Sequence, residues 1–187
     1  MGNRTLDQIN ELADVVIATR SLAPAITEAG QCLIDTLRTG NKILTCGNGG
    51  SATDALHLAE EFVGRYKGER ISLPAICLSA DVSVLTCIAN DYGFDAVFSR
   101  AVEGLGQAGD VLVGITTSGN SGNVLRAFEA AKVKGMKTML LSGKDGGKAS
   151  GQCDYEIIAP SNTTARVQEI HTLILHCWLE MVEAEQW

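Results

Sequence analysis

The 187-residue chain contains no C-x-x-C pair, although it has six cysteines, at positions 32, 46, 77, 87, 153 and 177. Most lie inside apolar runs, as small buried hydrophobes do in a reducing compartment, so they read as reduced thiols and a disulfide framework is excluded. No window approaches membrane-spanning length, and the N-terminal segment MGNRTLDQINELADVV has no basic stretch leading into an apolar one. Together these absences argue against membrane insertion and secretion and lead to the expectation of a cytoplasmic protein. Gly2 does not start a myristoylation signal, because Leu6 stands where Ser or Thr is needed. There is also no cluster of Lys and Arg. With a formal net charge of -7 and a pI near 4.9, a nucleic-acid partner is excluded, since phosphate backbones are held chiefly by clustered cations. An anionic small ligand stays open, provided backbone N–H groups and hydroxyls hold it. No repeat, low-complexity tract or long linker divides the chain, and 45% hydrophobic residues suffice for one core. A single domain over residues 1–187 is the expectation.

What is present is an alternating pattern. Two helical stretches, roughly Thr5 to Ala18 and Leu22 to Thr39, are followed by apolar β-type runs at 42–46, 74–79, 110–116, 137–143 and 155–160. Helical spacing lies between and after them at 51–66, 94–107, 121–134 and 164–184. Alternation of this kind is the signature of an α/β parallel sheet, here five-stranded. The runs are nearly continuous in apolar character, which fits strands buried on both faces and predicts helices on both sides. The last helix is apolar around more of its girth than one sheet face usually covers, from Ile170 to Val182. With the N-terminal helices in residues 1–40, this points to oligomer contacts.

Two loops have the chemistry of anion sites. Gly47-Asn48-Gly49-Gly50-Ser51 follows the first strand and opens a helix, where glycines let backbone approach a ligand and free N–H groups face an anion. With Ala52 it also matches the degenerate dinucleotide fingerprint, but the acid expected about 20 residues on is missing, which argues against a nicotinamide oxidoreductase. Thr116-Thr117-Ser118-Gly119-Asn120-Ser121 follows the third strand, at the carboxyl edge where open α/β sheets bind ligands. Simple N-capping needs only one hydroxyl. Four hydroxyls at a helix entrance suit a phosphomonoester, which reconciles an acidic protein with an anionic substrate.

The chain has three histidines, His57, His171 and His176. His57 and Glu61 are i and i+4 on one helix face and are able to act together on a metal or substrate, although such pairs are often merely structural. Gln168, His171 and His176 share the last helix, and Gln168 and His176 are separated by about 12 Å of rise. Spacing alone does not choose between the two histidines.

The segments GNGGSATDALHLAEEFVGRY (47–66), IANDYGFDAVFSR (88–100), TTSGNSGNV (116–124), SGKDGGK (142–148) and ARVQEIHTLILH (165–176) resemble, in the same order, the phosphoheptose isomerase family. The likeness runs from about residue 30 to the end. It implies a three-layer flavodoxin-like SIS (sugar isomerase) fold with extra N-terminal helices and a homotetramer. It also implies interconversion of sedoheptulose 7-phosphate and D-glycero-D-manno-heptose 7-phosphate, for bacterial heptose in lipopolysaccharide or other glycoconjugates. Residue by residue, the resemblance assigns substrate contact to Asn48, Gly49, Gly50, Asn90 and Asp91, and phosphate contact to Thr116, Thr117, Ser118 and Ser121. It assigns one Zn²⁺ per subunit to His57, Glu61, Gln168 and His176, and leaves His171 a structural place. The chain departs from the family's usual pattern at Thr116, often Ser, and at Leu56, often Gln.

Aldose–ketose isomerisation moves a proton between C1 and C2 through an enediol, so it needs a base and a proton donor for oxygen. Glu61 is expected to be the base and His176 the shuttle, with Gln168 touching substrate and zinc or the Asn90–Asp91 edge stabilising charge. The alternative is a non-catalytic SIS module that binds a phosphosugar or a protein. Such relatives tend to lack the acid and the final histidine, both of which this chain keeps. The distance between Gln168 and His176 leads to one more expectation, that sites form at subunit interfaces, with a neighbour supplying one of those two ligands.

Overall fold

A computed structural model describes residues 3–187. The Asn3 side chain caps α1 (Arg4–Thr19) by accepting the Leu6 N–H. A short turn leads into α2 (Ala23–Arg38), which has Pro24 in its first turn, where a missing N–H costs nothing. The chain then runs through β1 (Ile43–Gly47), α3 (Gly50–Val63), β2 (Ala75–Cys77), α4 (Val82–Tyr92), α5 (Val97–Leu105), β3 (Val111–Ile115), α6 (Gly122–Val133), β4 (Lys137–Gly143), β5 (Tyr155–Ala159) and α7 (Thr164–Glu183). The five strands form one sheet in the order β2-β1-β3-β4-β5, parallel at every pairing. The expected α/β class, strand number and two N-terminal helices are all present.

The continuous apolar character of the strands has the cause inferred from it. Ile43, Val111, Val113, Ile115, Met139 and Leu141 pack into one core with α1, α2, α3 and α7, and Leu44, Cys46, Leu112 and Leu140 pack into a second with α4, α5 and α6. Successive residues point to opposite faces, and both faces are covered.

Two sequence expectations change. Helix α4 was not foreseen, because VSVLT begins it with β-branched residues that favour strand. It is defined by its ends, where Asp81 accepts the Val84 N–H at 3.0 Å and Gly93 turns the chain out at φ 85°. The girth of α7 is accounted for largely within the chain. Ile170, Ile174, Leu175, Trp178, Leu179 and Val182 are buried within the chain against α1–α3 and the sheet, and the Trp178 indole donates to the Ile26 carbonyl at 2.9 Å. Helices α1, α2 and α3 supply the cover that one sheet face does not. Exposed apolar side chains include Leu6, Ile9 and Ile17 on α1, Val82, Tyr92 and Phe94 around α4, Leu56 and Val63 on α3, and Leu173 on α7.

Candidate active site

Strand order reverses between β1 and β3, because the chain leaves β1 toward β2 and returns on its other side at β3. The loops after these two strands therefore diverge and open a crevice at the carboxyl edge. Both anion-type loops of the sequence fall there. They enclose a cavity of about 240 Å³ lined by Asn48, Ser51, Ile115, Thr116, Thr117, Ser118, Ser121, Thr164 and Gln168. Asn48 and Asn123 exchange amide hydrogen bonds of 2.9 Å in both directions, which ties the β1 loop to the start of α6. Thr116 and Ser121 hydroxyls lie 2.9 Å apart. Thr116 is nearly buried, and its carbonyl accepts from Ser142 at 2.9 Å.

From this cavity α3 and α7 run side by side, and matched positions meet along the seam. At the cavity end Gln168 lies over Gly50 so closely that a Cβ there would sit 2.2 Å from the Gln168 Nε2, so the position is open only to glycine unless Gln168 moves. One turn on, the Thr172 hydroxyl lies 3.1 Å from Asp54 Oδ1. At the far end the rings of His57 and His176 meet edge to face with centroids 5.2 Å apart, and Tyr66 stacks on His176 at 5.7 Å. His57 Nε2 is 3.4 Å from Glu61 Oε1. Ligand atoms of His57, Glu60 and Glu61 all lie within 4.8 Å of one another.

Burial raises the Asp54 carboxyl above its ordinary value, against the lowering effects of Thr172 and His57. Its Oδ2 is buried without a hydrogen-bond partner, which disfavours the charged form. His171 is fully buried, its Nε2 lies 3.0 Å from the Ser142 carbonyl, and burial lowers its pKa to about 4. It is a neutral ring behind the cavity, in keeping with a structural place.

The structure thus sorts the expected residues into three groups. Asn48, Thr116, Thr117, Ser118, Ser121 and Gln168 line the cavity, with Gly49 and Gly50 at the opening of α3. His57, Glu61 and His176 meet at the far end of the seam. Asn90 and Asp91 lie exposed in the last turn of α4, outside the residues that line the cavity, with Asn90 Nδ2 donating to Asp91 Oδ1 at 2.7 Å. Gln168 and His176 are on one unbroken helix. His176 sits beside the chain's own His57, so of those two side chains it is not the one a neighbour must supply. Leu56 points outward on α3. Sequence reasoning missed Thr164, Asn123 and Glu60. Asn123 was detectable as an amide near a ligand loop, but its partner Asn48 is 75 residues away.

Residues 6–143 match the model of the SIS domain family. The chain is 54% identical to the phosphoheptose isomerase of Helicobacter hepaticus over 165 residues, covering 88% of this chain and 84% of that protein. It is 50% identical to the phosphoheptose isomerase of Yersinia pestis over 182 residues, covering 95% and 94%. Among solved structures, the phosphoheptose isomerase of Neisseria gonorrhoeae superposes with a TM-score of 0.93 at 41% identity, covering 97% of this chain and 98% of that one.

Proposed function

The chain belongs to the phosphoheptose isomerase family within the SIS fold, and from that premise we infer that its crevice interconverts sedoheptulose 7-phosphate and D-glycero-D-manno-heptose 7-phosphate. The observation that carries the reading is the arrangement of the α3–α7 seam, with a hydroxyl-rich cavity at one end and the His57, Glu61 and His176 cluster at the other. The substrate phosphate is held by Thr117, Ser118 and Ser121 and by the amides entering α6, with no lysine or arginine required. Asn48 and Gln168 border the sugar chain. The reacting carbons then reach the far end of the seam, where Glu61 takes the carbon-bound proton and His176 passes a proton between oxygens. Tyr66, stacked on His176, fixes that ring's plane.

The donor set suits zinc, since ligand atoms of His57, Glu60 and Glu61 lie within 4.8 Å of one another and the His176 ring lies against that of His57. Those residues would hold the ion, and Gln168 joins them only if its side chain leaves the cavity. A bound zinc supplies Lewis-acid stabilisation of charge on a substrate oxygen.

A homotetramer in the cytoplasm, with crevices completed at subunit interfaces, is part of the same proposal. It is supported by the apolar side chains exposed on α1 and α4, and by the position of Asn90 and Asp91 beside the latter surface and outside their own chain's cavity. The family's use in bacterial heptose and lipopolysaccharide synthesis gives the proposed setting.

The test is incubation of purified protein with sedoheptulose 7-phosphate, following heptose 7-phosphate by mass-resolved detection beside a fructose 6-phosphate control. Product only from the heptulose supports the reading. Silence on both favours a non-catalytic phosphosugar-binding module.

A further inference from the structure

The segment SGKDGGK (142–148) lines no cavity described above, yet it makes the closest backbone approach in the site. Gly119, at φ 64°, lies so near the turn after β4 that a Cβ on it would fall 1.7 Å from the Gly146 carbonyl oxygen. A Cβ on Gly147 would fall 2.3 Å from the Ser118 carbonyl oxygen. Two backbones are thus pressed together with no side chain between them. The contact is hydrogen-bonded as well as close. The Ala149 N–H donates to the Gly119 carbonyl at 3.0 Å, and the Lys148 N–H donates to Asn120 Oδ1 at 3.1 Å. Asn120 in turn donates from Nδ2 to the Ser118 carbonyl at 2.8 Å, and from its backbone N–H to Ser118 Oγ at 3.2 Å.

We propose that Asn120 is a positioning residue that joins the 145–149 turn to the 116–121 loop and presents the Ser118 hydroxyl to the substrate phosphate. Its chemistry is specific to an amide. Oδ1 accepts from the turn while Nδ2 donates to the loop, so one side chain holds both backbones. Because the Asn120 N–H already occupies a lone pair of Ser118 Oγ, the Ser118 proton is left free to donate into the cavity, which is the role an anion requires. The proposal rests on the reading of this loop as the phosphate site.

The experiment uses the full chain carrying Asn120→Ala, Asn120→Asp, Gly147→Ala or, as reference, Ser118→Ala. Each is assayed with sedoheptulose 7-phosphate and with inorganic phosphate as competitive inhibitor. Asn120→Ala is expected to raise KM about tenfold and to weaken phosphate inhibition by the same factor, with kcat within about twofold, because phosphate binding is nearly uniform between ground and transition states. Asn120→Asp keeps the acceptor for Lys148 N–H and loses the donor to Ser118, so a smaller shift in the same two constants is expected, and it serves as the test should the alanine variant not fold. Gly147→Ala should move the same constants by pushing the turn off the loop. The proposal is overturned if a folded Asn120 variant leaves KM and phosphate inhibition within about twofold while Ser118→Ala raises both. It is equally overturned if the loss falls on kcat with phosphate inhibition intact. If Ser118→Ala itself changes neither constant, the phosphate assignment of the loop fails, and the positioning role with it.

Discussion

Glu61 and His176 reach one place from different helices, and their proposed tasks are separable from their packing. Glu61→Gln and His176→Gln each remove proton-transfer capacity and little volume, so turnover is expected to fall roughly 100-fold or more with an unchanged thermal midpoint. Near-normal turnover in either removes that residue from the mechanism. For the phosphate hydroxyls the split runs the other way. The Ser118→Ala, Ser121→Ala double variant should chiefly raise KM, each lost hydroxyl costing on the order of 1 to 3 kcal/mol, and unchanged KM places the phosphate elsewhere. His171 makes a stability prediction. Its folded pKa, about 4, lies below the ordinary 6.5, so the unfolded chain binds the extra proton first as pH falls. Stability present above pH 6.5 is therefore lost progressively down to about pH 4. His171→Gln keeps a donor toward the Ser142 carbonyl without the titration. Between pH 7 and pH 5 its urea-unfolding free energy should fall by less than that of the unaltered chain, the difference being on the order of 2 kcal/mol. Equal slopes would mean that His171 does not titrate in this way.

At the scale of elements, what the sequence reveals depends on whether a signal is local. The five strands were legible because a two-sided parallel strand is apolar throughout, and α1 and α2 because their spacing is regular. The two ligand loops were legible because glycine and hydroxyl runs directly follow strands. Helix α4 was not, since β-branched Val82 and Val84 oppose the helical reading while only the Asp81 cap and Gly93 favour it. The pairing of Asn48 with Asn123, and the contact of Gly119 with the Gly146 turn, were hidden for another reason. Each depends on loops brought together by strand order, and no local pattern carries strand order. The ligand set of the far cluster came from resemblance, because helical spacing alone did not choose His176 over His171. Rotation about α7 sets the two histidines apart, with His171 against the Ser142 carbonyl and His176 beside His57 on α3.

In the whole molecule, His57, Glu61 and His176 belong to one protomer, while the Asn90–Asp91 edge stands apart beside exposed apolar surface. Mixing inactive Glu61→Gln and His176→Gln subunits is therefore expected to restore nothing. Mixing Glu61→Gln with Asp91→Ala, whose activity alone should fall at least about tenfold, is expected to restore activity if a neighbour supplies the α4 edge. No recovery despite verified subunit exchange would assign every group to one chain. The parallel course of α3 and α7 has a further consequence. Eight residues separate Gln168 at the cavity end from His176 at the far end, about 12 Å of rigid helix. Under the proposed assignment the seam would be a gauge of substrate length: with the phosphate seated in the 116–121 loop, only an extended sugar of sufficient carbon count would bring its carbonyl to Glu61. Shorter phosphosugars would be turned away by falling short rather than by clashing, and they would act as occupants of the cavity that never react.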